Sequence, residues 1–193
     1  MDYDFFAYLS RMKYIKRWAL MRGTEEENVM EHTQQVAVFT HALCAIENNL
    51  FGGTLNTEKA VMIALYHETG EVITGDLPTP IKYYNDKIRD AYKEIERISA
   101  EKVVDMLPEE LRPAFTPYIL GNEHTPEYRV MKHADKLSAY CKCLEELKCG
   151  NAEFLKAKDA VERELKNYRD PAVDYFMKHF IPGFSLTLDE LNG

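Results

Sequence analysis

The segment Ala64–Val72 constrains the fold more than any other stretch of this 193-residue chain. It continues the apolar run 61–65 but carries three polar side chains, His67, Glu68 and Glu71. In a helix, at about 100° per residue, His67 and Glu71 would share one face, with Glu68 about a quarter turn away. Burying such groups unpaired costs on the order of several kcal/mol each. They must therefore be exposed, hydrogen-bonded to one another, or bound to a cation.

Composition limits the class of protein. A hydrophobic fraction of 46% with 29% charged residues is typical of a globular domain, and the length predicts one domain over residues 1–193. The 24 Lys and Arg against 32 Asp and Glu give a net charge of -8, which argues against a nucleic acid polymer or an anionic membrane as the main partner. A small anion bound in a local cationic pocket is compatible with this charge.

Cellular location follows from the same simple features. No apolar run reaches the roughly 20 residues that a membrane span needs, and the first residues lack the pattern of a signal peptide. The four cysteines include no Cys-x-x-Cys pair. We therefore expect a cytoplasmic protein with reduced thiols.

Helical periodicity dominates the chain, and neither a repeat nor a convincing pair of strands is present. This pattern predicts an all-α fold, a compact single-domain bundle of about seven to ten helices. The main helices are expected over residues 2–12, 29–50, 57–72, 81–106, 126–150, 151–168 and 171–179. Thr24 and Glu27 have the spacing of a capping box, which we assign to the helix that begins at Val29.

Three of these helices each carry a side chain that can bind a metal on an apolar background. These side chains are His32, then His67 with Glu68, then Asp135. Two imidazoles with carboxylates suit a divalent ion such as Zn, Co, Mn, Ni or Fe, and the ion could support hydrolysis of a phosphate ester. Glu71 would then be a general acid or base. A structural network of acids and histidines, or a metal site that only binds, would explain the same pattern.

Two further segments could bind a substrate. Arg17 beside Trp18, the only tryptophan, suits bidentate recognition of an anion, although Trp18 alone also fits a packing role. The proline-rich segment 73–80 is either a connector or a rigid wall that presents Asp76 and Thr79.

The ordered set of polar residues resembles a known family. His32, the adjacent His67 and Glu68, and the distant Asp135 resemble the spaced His, His-Asp and Asp of the HD-domain metal-dependent phosphohydrolases. From Phe5 to about Glu190 the chain resembles, more closely, the bacterial 5'-deoxynucleotidases of this class. The residues that carry this closer resemblance are Arg17-Trp18, Glu31-His32, Tyr66-His67, Glu71-Val72, Thr74–Pro80, Lys82-Tyr83, Ala134-Asp135 and Lys142–Leu147.

The resemblance implies an HD-domain fold and assigns a role to each matching residue. The reaction would be hydrolysis of a deoxyribonucleoside 5'-monophosphate by a cytoplasmic homodimer with one divalent metal ion, such as Co, Mn or Zn. Glu71 would be the catalytic acid or base, and Arg17 would orient the phosphate. The metal ligands would be His32, His67, Glu68 and Asp135. The substrate-binding residues would be Arg17, Trp18, His32, Glu68, Asp76, Leu77, Pro78, Thr79 and Asp135.

One position departs from the family pattern. Glu68 stands where the family has Asp, and its extra methylene displaces the carboxylate by about a bond length unless the side chain folds back. Two alternatives stay open: another HD phosphohydrolase, acting on a cyclic nucleotide or an alarmone, or a nucleotide-binding regulatory module with weakened catalysis. His124 and His133 could bring a second metal, but such residues are more often solvated or capping groups.

Overall fold

The structure of the protein, a computed structural model, describes residues 3–82 and 84–191. The side chain of Thr79 and all of Tyr83 lie outside the described residues. Within them the chain is helical, with no strand and one isolated antiparallel bridge between Lys16 and Asn28. The predicted all-α fold is confirmed.

The helices in the described part of the chain are α1 Phe5–Leu9, α2 Val29–Leu50, α3 Thr57–Tyr66, α4 Glu71–Thr74, α5 Thr79–Lys82, α6 Asp86–Asp105, α7 Arg112–Ile119, α8 Pro126–Lys148, α9 Leu155–Asn167, α10 Pro171–His179 and α11 Leu188–Leu191. Single 3-10 turns cover Ser10–Tyr14, Ala152–Phe154 and Ile181–Ser185. The bounds of α2, α8 and α10 lie within two residues of the prediction. The predicted helix 57–72 is wrong, because it is divided into α3 and α4.

The cap of α2 also differs from the prediction. Asn28 Oδ1 accepts from the Glu31 amide at 3.0 Å, and Glu31 Oε2 accepts from the Asn28 amide at 3.3 Å, which is a reciprocal capping box. Thr24 instead donates through Oγ1 to Glu146 at 2.9 Å. The capping-box spacing occurs twice in succession, first as Thr24 with Glu27 and then as Asn28 with Glu31. The second pair forms the cap.

The buried face of α6 is rotated relative to the prediction. Helical periodicity over residues 81–106 predicts an inward stripe of Ile88, Tyr92, Ile95, Ile98 and Val103. Tyr92 and Val103 are buried as this pattern predicts, but the three isoleucines are exposed. The small side chains Ser99 and Ala100 are buried instead. Hydrophobicity alone does not predict small residues on the inward face of a helix.

The chain divides into two compact units. The first comprises Met1–Arg22, Glu26–Gln34 and Leu65–Glu123. Its core is built on the buried side chains Phe5, Val103 and Leu107. The rings of Phe5 and Phe115 pack edge to face with their centroids 5.2 Å apart, and Tyr66 meets Phe115 at 5.8 Å. These contacts join α1, α6, α7 and the end of α3.

The second unit comprises Gly23–Glu25, Gln35–Ala64 and His124–Gly193. Helix α8 packs against α9, and the rings of Phe39 and Phe176 lie 5.1 Å apart. The prediction of a single domain over 1–193 stays a prediction.

A buried ion pair holds a loop of the second unit. Lys142 Nζ lies 2.6 Å from Glu146 Oε1, and both side chains are almost fully buried. Glu146 Oε2 accepts from the Thr24 amide at 2.7 Å. Burial opposes the charged form of Glu146, but these hydrogen bonds outweigh it and keep its pKa well below the usual range.

Two predictions from composition can be compared with the structure. All four cysteines are free thiols, and three of them are buried. In the described part of the chain no helix is long and apolar enough to cross a membrane.

Candidate metal centre

The segment between α3 and α4 is a turn rather than a helix. Thr69 caps the end of α3, because both its amide (3.1 Å) and its Oγ1 (2.7 Å) donate to the Tyr66 carbonyl. Gly70 follows, and a Cβ at this position would lie 2.9 Å from the backbone oxygen of Glu96. Only glycine allows the turn to approach α6 this closely. The expected stacking of His67 over Glu71 along one helix is therefore wrong.

The turn brings His67 and Glu68 next to His32, which lies in the first turn of α2 and is fully buried. Glu68 Oε1 lies 3.3 Å from His67 Nε2 and 3.8 Å from His32 Nε2. The two imidazole rings are 5.5 Å apart between centroids. All three side chains belong to the first unit, and each offers a ligand atom within 4.8 Å of the others.

This donor set fits a divalent metal ion. Two imidazole nitrogens and a carboxylate oxygen are ligands that Zn, Co, Mn and related ions accept. Bringing these groups together without a cation would leave polar atoms crowded in a largely buried place. The structure brings His32, His67 and Glu68 together, and their role as metal ligands stays a prediction.

Arg17 and Trp18 precede this cluster in the first unit. Arg17 Nη1 lies 3.8 Å from Glu68 Oε1, so the guanidinium approaches the proposed metal ligands. Glu27 Oε2 accepts from Arg17 Nε at 3.1 Å and from Trp18 Nε1 at 2.8 Å. Trp18 is half-buried and hydrogen-bonded, so it does not have the core-packing role that its large apolar side chain would also allow.

Glu71 is buried at the start of α4, with 4% of its surface exposed. Its Oε2 has no hydrogen-bond partner among the described residues. Burial, with smaller contributions from the charges of Glu68 and Asp76, raises the pKa of Glu71 to about 10. The charges of Arg17 and Lys82 oppose this rise in the pKa, and the net shift favours the protonated carboxyl.

The segment after α4 carries the other predicted substrate-binding residues. Burial raises the pKa of Asp76 above its usual range, while the charge of Arg17 opposes this shift. Leu77 and Pro78 are partly buried and lead into α5. The predicted role of the Thr79 side chain lies outside the described residues. Whether this segment is a substrate wall stays a prediction.

Asp135 belongs to the second unit. It lies on α8 with 19% of its side chain exposed, and its Oδ2 is 2.7 Å from Lys132 Nζ. The two further histidines differ from each other. His133 Nδ1 lies 3.0 Å from Asp170 Oδ2, and its ring stacks on Tyr168 with centroids 4.1 Å apart, which gives it a structural role. His124 is exposed in a loop.

Glu27 is the residue in this region that the sequence alone did not indicate. Its place in the acidic run 25–27 suggested a helix cap, whereas its carboxylate contacts Arg17 and Trp18. Hydrogen bonds between two non-helical segments leave no periodic pattern in a sequence, so no local signal could have identified these partners.

Comparison with known proteins identifies the family. The model of the 5'-deoxynucleotidase YfbR-like family matches residues 4–184. The chain is 53% identical over 189 residues to a 5'-deoxynucleotidase from Erwinia tasmaniensis, covering 97% of this chain and 96% of the relative. It is 52% identical over 189 residues to the 5'-deoxynucleotidase YfbR of Escherichia coli, covering 97% and 95%.

Solved structures agree on the fold. An HD-domain phosphohydrolase from Listeria innocua superposes with a TM-score of 0.83 at 23% identity, covering 98% of this chain and 92% of that one. The HD phosphohydrolase DatZ of cyanophage S-2L, solved with dA and one catalytic Zn²⁺ ion, gives a TM-score of 0.66 at 21% identity, covering 94% and 96%. The chain has the fold of HD-domain phosphohydrolases, and it belongs to the YfbR-like 5'-deoxynucleotidase family.

Proposed function

We propose that this protein is a metal-dependent 5'-deoxynucleotidase, which hydrolyses deoxyribonucleoside 5'-monophosphates to deoxynucleoside and phosphate. Family membership supports the reaction, at about half sequence identity over nearly the whole chain. The observation that carries the proposal is the cluster of His32, His67 and Glu68, with ligand atoms within 4.8 Å of one another. A divalent ion bound by such a cluster can neutralise a phosphate group and activate the water that hydrolyses it.

As the family resemblance implies, we assign one divalent ion to His32, His67, Glu68 and Asp135. Asp135 would complete the ligand set, since the family pattern places an Asp at this position. Metal titration would distinguish among Co, Mn and Zn, and DatZ was solved with one catalytic Zn²⁺ ion. When bound, the ion would polarise the phosphoryl group and lower the pKa of water.

Arg17 is the cationic group that would bind the substrate phosphate. Its Nε donates to Glu27, so the phosphate would meet the terminal Nη nitrogens, of which Nη1 lies 3.8 Å from Glu68 Oε1. A guanidinium suits this role because its fixed fork of donors matches phosphate oxygens. Arg17 would thereby orient the ester bond for attack.

Glu71 would handle the proton. Its carboxyl is buried, and its raised pKa means that it can carry a proton at neutral pH. Phosphate ester hydrolysis needs a proton for the departing 5'-oxygen and a base for the attacking water. The buried carboxyl of Glu71 suits either role, and only two residues separate Glu71 from the proposed ligand Glu68 in the sequence.

Trp18 would select the deoxyribose. A rigid indole can leave a 2'-hydroxyl neither space nor a hydrogen-bond partner, which disfavours ribonucleotides. We propose that Asp76, Leu77, Pro78 and Thr79 line the rest of the nucleotide pocket. The burial of Asp76 and the rigidity of the proline-containing segment support this assignment.

We also propose that the enzyme is a cytoplasmic homodimer, as the family resemblance implies. Light scattering coupled to size-exclusion chromatography would test the oligomeric state, and a mass of one chain, 22.4 kDa, would contradict the dimer.

Phosphate release tests the reaction. The protein is stripped with EDTA, reloaded with Co, Mn or Zn, and given deoxyribonucleotides, ribonucleotides, a cyclic nucleotide and an alarmone. We expect release from the deoxyribonucleoside 5'-monophosphates only with metal. Release only from the cyclic nucleotide or the alarmone would favour another HD phosphohydrolase, and binding without release from any of them would favour a regulatory module.

A matched pair of variants on α2 links activity to the cluster. His32→Ala removes a buried proposed ligand, and we expect it to abolish metal binding and activity together. His41→Ala changes an exposed histidine of the same helix and should leave both unchanged. Equal effects of the two substitutions would contradict the assignment of His32.

A further inference from the structure

The carboxylate of Glu27 contacts two adjacent side chains at once. Its Oε2 accepts from Arg17 Nε at 3.1 Å and from Trp18 Nε1 at 2.8 Å. The Arg17 and Glu27 side chains are only 12% and 13% exposed, so water competes weakly for these hydrogen bonds. Hydrogen bonds to an ionised acceptor are the stronger kind.

The backbone around these residues is held in the same way. The Arg17 amide donates to the Glu27 carbonyl at 2.9 Å, and the Val29 amide donates to the Ile15 carbonyl at 2.9 Å. Between these two hydrogen bonds lies the isolated bridge of Lys16 with Asn28. The segment that carries Arg17 is therefore fixed directly to the start of α2.

Trp18 has a backbone conformation that needs support. Its φ is +58°, in the left-handed region that residues with a Cβ seldom adopt. Such a conformation persists only where surrounding contacts hold it. The indole hydrogen bond to Glu27 and the turn closed by the Met21 amide on the Trp18 carbonyl, at 2.8 Å, supply that support.

We propose that Glu27 is a positioning residue for substrate recognition, which fixes the guanidinium of Arg17 and the indole of Trp18 in one relative arrangement. This inference rests on the proposed function, in which Arg17 binds the phosphate and Trp18 excludes the ribose hydroxyl. In this role Glu27 acts through Arg17 and Trp18 and not on the substrate itself. Phosphate binding and sugar selection are thereby coupled through a single oxygen atom.

The coupling has a specific chemical consequence. Because Glu27 holds the Nε edge of Arg17, the guanidinium presents its terminal nitrogens in one orientation. Because the same oxygen holds the indole N–H, the distance between the phosphate-binding group and the sugar-selecting ring is set. Loss of Glu27 would therefore weaken substrate binding and sugar discrimination together.

A neighbouring residue provides the matched control. Glu26 pairs with Lys16 across the same two segments, but both side chains are largely exposed, at 76% and 62%. A surface pair of this kind contributes little to stability. Glu26→Ala therefore removes a carboxylate from the same place in the chain without touching Arg17 or Trp18.

The test combines kinetics with the fluorescence of Trp18, the only tryptophan in the chain. For Glu27→Ala we expect KM for a deoxyribonucleoside 5'-monophosphate to rise about tenfold. The deoxy to ribo ratio of kcat/KM should fall about fivefold. The emission of Trp18 should shift and its anisotropy should fall, and Glu26→Ala should change none of these quantities.

Glu27→Gln keeps the side-chain shape and one acceptor oxygen. The same measurements can therefore be made on this variant if Glu27→Ala does not fold. We expect it to restore most of the sugar discrimination, with KM raised about threefold because the charge is lost. A purely structural role would lower stability without changing the deoxy to ribo ratio. An unchanged ratio and KM in both variants would overturn the inference.

Failure of the proposed function would be recognised separately. If the unaltered protein releases no phosphate, inorganic phosphate can still be titrated against Trp18 fluorescence, which needs no turnover. We expect Glu27→Ala to weaken phosphate binding about tenfold relative to Glu26→Ala. Equal affinities in the two variants would overturn the role of Glu27 without any reference to catalysis.

Discussion

Oε1 of Glu68 lies 3.8 Å from Nη1 of Arg17, so a proposed metal ligand also approaches the proposed phosphate-binding group. The same oxygen is 3.3 Å from His67 Nε2. Glu68 thus links the proposed metal site to Arg17, the two positive groups that would neutralise a phosphate dianion.

We predict that Glu68→Ala lowers metal affinity at least about a hundredfold, because it removes a charged ligand and not merely a supporting contact. Glu68→Asp keeps the carboxylate and should retain metal binding to within about tenfold. Calorimetric titration of the EDTA-treated protein with Zn, Co and Mn measures both. Metal affinity that is equal in Glu68→Ala and the unaltered protein would exclude Glu68 from the ligand set.

The carboxyl of Glu71 should make metal-free stability depend on pH. Its folded pKa of about 10 lies above the ordinary pKa of 4.5 that it has in the unfolded chain. The folded state therefore binds the proton more tightly, and stability is lost as the pH rises from about 4.5 towards 10. In EDTA at pH 9, Glu71→Gln should be more stable than the unaltered protein by about 1–3 kcal/mol.

Urea unfolding at several pH values measures this difference, and Glu58→Gln, on the exposed side of α3, is the control. The same Glu71→Gln variant should bind metal but lose activity by about a hundredfold or more. A metal-loaded variant with full activity would remove Glu71 from the proton-handling role.

The sequence predicted those features that depend on local chemistry. The helices α2, α8 and α10 have clear periodicity, and Asp170 caps α10 as its position before Pro171 indicates. His32, His67 and Glu68 could be identified because polar groups on apolar helix faces need partners.

Features that depend on contacts between distant segments were not predictable. The turn at Gly70 exists because α6 lies against it, and nothing in residues 64–72 records that approach. The partners of Glu27 are in a segment ten residues away with no regular structure, so the capping-box pattern gave a wrong assignment. Helix α6 buries Ser99 and Ala100, which hydrophobic periodicity ignores.

Asp170 should stabilise the fold above about pH 4. Burial opposes its charge, but hydrogen bonds from His133 and the Ala172 amide, with the charges of His133 and Arg129, lower its pKa from the ordinary value of 3.8 to about 2. The folded pKa lies below the unfolded value, so the contribution is present above the unfolded pKa and is lost as the pH falls through about 2. Asp170→Asn should therefore destabilise the protein by about 2 kcal/mol at pH 7.

This deficit should shrink as the pH is lowered below 4, which chemical denaturation from pH 7 to pH 3 would show. Asp174→Asn is the matched control, because Asp174 is an exposed acid in the first turn of the same helix. A deficit for Asp170→Asn that stays constant across this range would refute the electrostatic explanation.

Gly70→Ala should disturb both stability and the metal centre. The new Cβ would lie 2.9 Å from the backbone oxygen of Glu96, and a helix backbone cannot yield as a flexible side chain can. We expect a loss of about 1–3 kcal/mol in the free energy of unfolding, together with weaker metal binding, because the turn that carries Glu68 must shift. Gly183→Ala is the control, since its Cβ would meet no atom within 4 Å. Thermal melts with and without added Zn measure the stability and the metal binding of both variants. If Gly70→Ala and Gly183→Ala have equal melting temperatures in both conditions, the close approach of Gly70 to Glu96 does not require glycine.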